Sequence, residues 1–186
     1  MPFSSANLKL LDNLTFANFL TCCRMILAPV IVYYICIGQQ AVAFALFFLA
    51  SLTDFFDGFF ARKNHTTTSL GKILDPLADK VLVAFIYVAL MVMGKVPVWL
   101  LITILLRDFL IIGGLAVGWR YSLPLKMKPI FSSKLNTFLQ LLLCVLLLCP
   151  FYIHEGFIQW LIYVTFVSTV YSGGAYARIF VQAFRR

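Results

Sequence analysis

The chain has 186 residues, 62% of them hydrophobic and only 12% charged, with a mean hydropathy of +0.96. A soluble domain carries about 25% charged and about 45–50% apolar residues, so this composition excludes an ordinary water-soluble fold and points to an integral membrane protein. The net charge of +8 does not make a nucleic-acid binder, because no basic run of the length such patches need is present; in membrane proteins basic residues collect in cytoplasmic loops facing anionic headgroups.

Residues 1–12 carry one lysine, Lys9, and no apolar core of signal-peptide length. No cleavable leader is expected, and the first apolar segment is expected to remain as a span. Residues 4–18 mix Leu8, Leu10, Leu11, Leu14 and Phe16 with Lys9, Asp12 and Asn13, the pattern of a candidate interfacial amphipathic helix. Crossing a bilayer takes about 20 mostly apolar residues in a helix, because backbone groups cannot stay unpaired in lipid. Six segments meet that requirement: 19–37, 41–61, 73–93, 98–119, 135–149 (extendable back to 132) and 157–177. The expected fold is therefore all-α and integral to the membrane, a six-transmembrane-helix bundle forming a single domain over 1–186.

Lysine and arginine set the expected orientation. Arg62, Lys63 and Lys72 follow the second span, Arg120, Lys126, Lys128 and Lys134 the fourth, and Arg178, Arg185 and Arg186 the sixth. The opposite loops hold Lys95 in one case and His154 with Glu155 in another. Both termini and the two basic loops are thus expected on the cytoplasmic side, with Gln39, Gln40 and the Pro97 turn on the other. Cys22, Cys23, Cys36, Cys144 and Cys149 lie in apolar segments without C-x-x-C spacing and read as small buried hydrophobes. His65 and His154 have no metal-ligand spacing.

Between the second and third spans the composition changes. Residues 53–80 hold Asp54, Asp57, Asp75 and Asp79, four of the seven acidic residues in the chain. The first pair is three apart and the second four apart, separations that return to one face of a helix. A short loop joins the two helix ends, which predicts antiparallel neighbours with four carboxylates at one depth near the cytoplasmic boundary. Carboxylates so placed repel and take up protons unless cations hold them. Hard divalent cations with oxygen ligands, Mg²⁺ or Mn²⁺, suit the donor set, and two of them can be bridged by four carboxylates. Such sites leave coordination open for substrate phosphates, which points to phosphoryl or phosphatidyl transfer. Gly58, Ala61 and Gly71 read either as close helix packing or as backbone left uncovered for a phosphate. Arg62 reads as a positive-inside anchor or as a bidentate phosphate ligand.

Written out, these positions give D-x-x-D-G-x-x-A-R, eight residues, then G-x-x-x-D-x-x-x-D. The pattern resembles the signature of the CDP-alcohol phosphatidyltransferase family at all eight fixed positions: Asp54, Asp57, Gly58, Ala61, Arg62, Gly71, Asp75 and Asp79. At average residue usage a chance match at one place has odds on the order of 10⁻¹⁰. N-F-L-T-C-C-R at 18–24 and D-P-L-A-D-K at 75–80 are similar to the wording of the family's glycerophosphate-type members. The resemblance implies a six-helix membrane enzyme, usually a homodimer, that moves the phosphatidyl group of CDP-diacylglycerol to an alcohol and releases CMP. It implies Asp54, Asp57, Asp75 and Asp79 as ligands of a two-metal site, and Asp57, Gly58, Ala61, Arg62 and Gly71 at CDP-diacylglycerol. It also implies Asp79 as the general base acting on the acceptor hydroxyl.

The remaining intramembrane charges are Arg24 in the first span and Arg107 with Asp108 in the fourth; charges at such depth are usually functional or internally paired. Sequence neighbours point to different helix faces, so Arg107 and Asp108 are not expected simply to pair. By resemblance, Arg107 and Lys134 hold a phosphate on the acceptor. K-P-I-F-S-S-K-L-N-T-F-L-Q at 128–140 is similar to the cardiolipin synthase branch, for which phosphatidylglycerol is the acceptor; glycerol 3-phosphate, used by phosphatidylglycerophosphate synthases, is the alternative. Lys126, Lys128 and Lys134 share a plainer reading as loop residues attracting anionic lipid, preferred for Lys126, and Asn136, Thr137 and Gln140, on one helical face, read as interhelical hydrogen-bond formers. A divalent-cation transporter is the rival from another class, but the acids cluster near one membrane face and conduction leaves Arg62 without a role. The N-terminus has no transit-peptide character, which favours a bacterial inner membrane over a mitochondrial one.

Overall fold

The computed structural model describes the backbone of residues 16–64, 71–120 and 131–184 and the side chains of 25–52, 80–114 and 131–182. Among the described residues all regular structure is helical: α1 (Phe16–Cys36), α2 (Gln40–Asn64), α3 (Gly71–Val92), α4 (Val98–Arg120), α5 (Phe131–Leu148) and α6 (Glu155–Phe184). Each expected span falls on one of these helices. The larger difference is at α6, which runs on to Phe184, whereas α5 starts at Phe131, next to the extended start at 132. Hydropathy measures the length that lipid requires, whereas a helix continues as long as its backbone is bonded. The candidate interfacial helix at 4–18 falls outside the described residues except for its end, which begins α1.

By length and composition α5 is apolar enough to cross a membrane, with a hydropathy of 1.6 over 18 residues, and shorter apolar runs occupy Met25–Cys36, Gln40–Leu52 and Lys80–Val92. In α6 the apolar run is interrupted by Thr165, Thr169, Ser172, Gly173 and Gly174, small residues of the kind that let helices approach closely.

Two glycines turn the chain between consecutive helices. Gly38 has φ 79° and Gly94 φ 72°, the left-handed region that costs glycine nothing. After α1 the Gly38 N–H donates to the Ile35 carbonyl and Gln39 N–H to Tyr34; after α3 Gly94 N–H donates to Met91 and Lys95 N–H to Leu90. Both are Schellman caps, which satisfy carbonyls that the helix end would otherwise leave open. The Pro97 carbonyl then accepts from the Leu100 and Leu101 N–H groups and starts α4. His154 starts α6: its carbonyl accepts from Phe157 and its ring Nδ1 from the Gly156 N–H at 3.1 Å.

The chain divides into two compact units, Met1–Ala89 and Leu90–Arg186. In the first, α1 packs on α2 and the buried positions Ala28, Ile31 and Ile35 meet the helical period, as do Ala43, Phe47 and Ala50. Pro29 lies inside α1, where it removes one helical hydrogen bond and favours a bend. In the second unit α6 packs on both α4 and α5. Its buried stripes are Leu100, Ile104, Arg107 and Ile111 on α4, and Asn136, Gln140, Leu143 and Leu147 on α5. On α6 they are Leu161, Thr165, Thr169, Ser172 and Tyr176. Polar residues fill one end of this interior while Leu106, Phe109, Phe138, Trp160 and Val167 are exposed. That arrangement inverts the usual rule for a protein in water and suits lipid surroundings.

Lys95, carried outward by the Gly94 turn, donates to the Leu147 carbonyl in the last turn of α5 at 3.3 Å, a favourable place for a cation. Burial holds its pKa below the ordinary 10.5. The unfolded chain therefore binds that proton more tightly, and the resulting cost to stability, complete below the folded pKa, disappears as pH rises toward 10.5. The expected outcome in detergent unfolding experiments is that wild type gains stability relative to Lys95→Met as pH rises through the lowered folded pKa of Lys95 toward 10.5.

Candidate active site

Asp54 and Asp57 lie on the C-terminal half of α2 and Asp75 and Asp79 in the opening turns of α3. Gly58, Ala61 and Arg62 follow on α2, and Gly71 is the first residue of α3. The side chains of these positions lie outside the described residues; the backbone establishes that each aspartate pair sits on an unbroken helix, three and four residues apart, spacings that share a face. Among the residues whose side chains are described, no group of three or more His, Cys, Asp or Glu is present.

The second constellation is resolved to its atoms. Arg107 belongs to the buried stripe of α4 and is 5% exposed. Its Nη1 donates to Asp108 Oδ1 at 2.6 Å, and its Nη2 donates to Ser133 Oγ on α5 and to Ser172 Oγ on α6 at 3.4 Å. One guanidinium thus joins three helices, which its planar fork of five N–H donors permits. Nε is buried with no partner. A Cβ at Gly173 would rest 3.7 Å from the Arg107 stem, an ordinary contact. The pairing of Arg107 with Asp108 corrects the expectation from helix geometry. Adjacent Cβ atoms do diverge, but the long arginine side chain bends back far enough to reach its neighbour's carboxylate.

Beyond Ser172 the polar interior continues. Thr169 Oγ1 lies 2.8 Å from Asn136 Oδ1 and 2.7 Å from the Thr165 carbonyl, and Gln140 Nε2 donates to it at 3.5 Å. A hydroxyl has one proton, so it cannot serve both oxygens fully; with the Asn136 amide turned over, the amide donates to Thr169 and Thr169 to the carbonyl. Asn136 Nδ2 and Thr165 Oγ1 are buried without partners. Of the three α5 residues expected on one face, Asn136 and Gln140 are buried together, but Thr137 is exposed and donates to the Ser133 carbonyl at 3.0 Å. The angular step of about 100° between consecutive residues carries it off that face. Lys134 is exposed on the turn that carries Ser133.

The geometry joins a helix-borne aspartate signature to a chain that also keeps a buried, fork-bonded arginine. The sequence profile described as CDP-alcohol phosphatidyltransferase matches residues 14–171, and so takes in the aspartate signature and Arg107, Asp108 and Ser133, ending one residue before Ser172. The chain belongs to the CDP-alcohol phosphatidyltransferase family. Within that family it is 38% identical to cardiolipin synthase (CMP-forming) of Rattus norvegicus over 69% of this chain and 48% of that one. It is 37% identical to the Homo sapiens protein of the same name, with the same coverage. Similarity is comparable to the CDP-diacylglycerol–glycerol-3-phosphate 3-phosphatidyltransferase of Rickettsia typhi, 39% identical over 67% of this chain and 70% of that one. The chain thus spans about half the length of the two cardiolipin synthases it matches.

For this family member, sequence reading singled out Arg107 but missed Ser133, Ser172 and Thr169. The available signal was positional: Thr165, Thr169 and Ser172 recur at four and three residues in an apolar helix, a polar stripe that lipid would not select. The two threonines separate cleanly by experiment. Thr169→Val, which removes a bonded hydroxyl, should lower stability by about 1 kcal/mol in detergent unfolding. Thr165→Val removes an unpartnered hydroxyl and should be neutral or stabilising.

Proposed function

We propose that this protein is an integral membrane enzyme of anionic phospholipid synthesis that transfers the phosphatidyl group of CDP-diacylglycerol to a glycerol-type acceptor and releases CMP. The observation that carries this reading is the complete eight-residue signature on α2 and α3 inside a family match over residues 14–171. Six membrane spans, both termini and the aspartates on the cytoplasmic side, a homodimer and a bacterial inner membrane complete the reading. It is supported by the six helices, the apolar exterior of the second unit and the distribution of lysine and arginine.

Asp54, Asp57, Asp75 and Asp79 form an all-carboxylate donor set that fits hard cations, and they would hold two Mg²⁺ or Mn²⁺ ions. When bound, these ions supply neutralisation of the charge on the reacting phosphate. Asp79 accepts the proton of the acceptor hydroxyl as that oxygen bonds to the phosphorus bearing diacylglycerol. The phosphorus–oxygen bond to CMP breaks, and Arg62 meets the phosphate charge of the leaving group. Gly58, Ala61 and Gly71, with little or no side chain, leave backbone open to the nucleotide diphosphate. Transport of divalent cations is disfavoured by the same residues, for which conduction has no use.

Arg107 and Lys134 bind phosphate on the acceptor. Arg107 is suited to the task because Asp108, Ser133 and Ser172 hold its fork in place while Nε keeps a free donor. Phosphatidylglycerol is the leading acceptor, supported by the similarity to proteins named cardiolipin synthase. Glycerol 3-phosphate is the second reading, favoured by the equal identity to the rickettsial relative.

The test is purified protein with labelled CDP-diacylglycerol, Mg²⁺ or Mn²⁺ and each acceptor in turn, following CMP and the lipid product. Turnover is expected with phosphatidylglycerol, to be lost on chelation and restored by metal; no turnover with either acceptor contradicts the reading. Asp79→Asn should lower kcat by about 10²-fold or more, and near-normal activity would remove it as the base. Arg107→Ala should raise KM for the acceptor while leaving KM for CDP-diacylglycerol close to wild type; an unchanged acceptor KM would take it out of the pocket.

A further inference from the structure

On the outer side of the second unit, α5 and α6 enclose an open trough of about 570 Å³ that no role assigned above uses. Its walls are apolar and aromatic, with Leu135 and Leu139 from α5 and Trp160, Tyr163, Val164 and Val167 from α6. From Trp160 to Tyr171 along α6 is about 16 Å at 1.5 Å per residue. One leaflet of a bilayer's hydrocarbon core is about 15 Å deep. The trough therefore matches the length of one acyl chain; on the expected span 157–177 it crosses the midplane, with Tyr171 on the side of Arg178.

Its two ends differ in chemistry. At one end stand Trp160 and Tyr163. At the other Tyr171 is shared with a second cavity of about 190 Å³ that it lines with Gly174, Ala175 and Arg178. These four residues recur at three and four along α6, so they form one stripe continuing the trough out to a cation. Arg178 is exposed, and no ion pair to it is present among the described residues. Tyrosine and arginine at the rim of an apolar slot are the groups that sit at the headgroup level of a bilayer.

We infer that this trough seats one acyl chain of an anionic phospholipid whose phosphodiester is bound by Arg178. The groove is concave and lined for a flexible hydrocarbon, and among the described residues the only charge lining either cavity is positive. A second copy of the chain fits less well. A two-fold axis along the membrane normal would bring both Arg178 side chains to one depth, with like charges facing across the interface. A zwitterionic phospholipid would fill the trough equally and offers the same phosphodiester, but its cationic headgroup amine opposes the guanidinium, so net negative charge sets the preference.

Trp160 lies in the trough and reports its occupant. A protein with Trp99→Phe and Trp119→Phe retains only that tryptophan. It is reconstituted in phosphatidylcholine vesicles containing a minor fraction of lipid with brominated acyl chains, either phosphatidylglycerol or phosphatidylcholine. The expected result is preferential quenching by the brominated phosphatidylglycerol, corresponding to about fivefold enrichment over phosphatidylcholine, the factor one interfacial cation supplies. Arg178→Gln should abolish the preference, and Arg178→Lys should largely restore it. Equal quenching by both lipids in the parent protein would reduce the trough to ordinary lipid contact and overturn the inference. Quenching by neither, with cross-linking between copies at Val167→Cys, would assign the face to a second copy and overturn it as well. A preference that survives Arg178→Gln would refute the headgroup assignment. Native mass spectrometry of wild-type protein and Arg178→Gln with the two lipids gives the same comparison without the tryptophan substitutions: retained phosphatidylglycerol should fall in the variant alone, and equal retention by both proteins contradicts the site.

Discussion

Arg107 donates hydrogen bonds to Asp108 on its own helix, to Ser133 on α5 and to Ser172 on α6, and the second unit is arranged around that fan. A guanidinium in an apolar interior is costly unless charge and hydrogen bonds compensate it. The compensation here draws on three helices, so the position of the charge and the packing of the helices depend on each other. Removing any one partner leaves the rest of the group under-satisfied, which is the expensive outcome in a low-dielectric interior. Ser133 and Ser172 are short enough for α5 and α6 to come close on either side of the arginine.

From that centre the polar interior runs through Thr169 to Asn136 and Gln140, and the apolar interior begins at Leu143 and Leu161. Helices in lipid gain little from burying leucine against leucine, since the tails are as apolar as the side chains. Hydrogen bonds and close packing of small residues then carry the association, and the large apolar side chains are free to face outward. Such an interior keeps a donor without a partner, on Arg107 Nε. In the proposed function that donor is the one an oxygen-rich acceptor would satisfy, because binding would repair a deficit already present.

The helices were legible from hydropathy because lipid imposes a length and a composition on anything that crosses it. The breaks at 38–40 and 94–97 were legible between the apolar segments, while their cause, a left-handed glycine at Gly38 and Gly94 closing a Schellman cap, comes from the structure. The pairing of Arg107 with Asp108 was not, because backbone direction predicts where Cβ points and says little about the end of a long side chain. Thr137 was misassigned for a related reason: position 137 is near 136 and 140 in sequence, yet it falls off the buried face. Ser133, Ser172 and Thr169 went unnoticed because a small hydroxyl residue in an apolar helix is common, and only its recurrence at helical spacing distinguishes a polar stripe. The aspartate signature is the opposite case. Four carboxylates in so apolar a chain stand out at once, and their chemistry follows from charge repulsion before any relative is considered.

In the proposed function those carboxylates hold the metals, since four aspartates brought together at one depth would need cations to stay ionised. The most direct measurement is a Mn²⁺ titration of the purified protein followed by electron paramagnetic resonance. The account predicts two ions bound per chain, with the spin coupling of neighbouring ions, and loss of that coupled signal in Asp54→Asn and Asp75→Asn. A protein that binds no Mn²⁺, or binds it unchanged in both variants, would contradict the assignment of this stretch as the metal-holding heart of a phosphatidyltransferase.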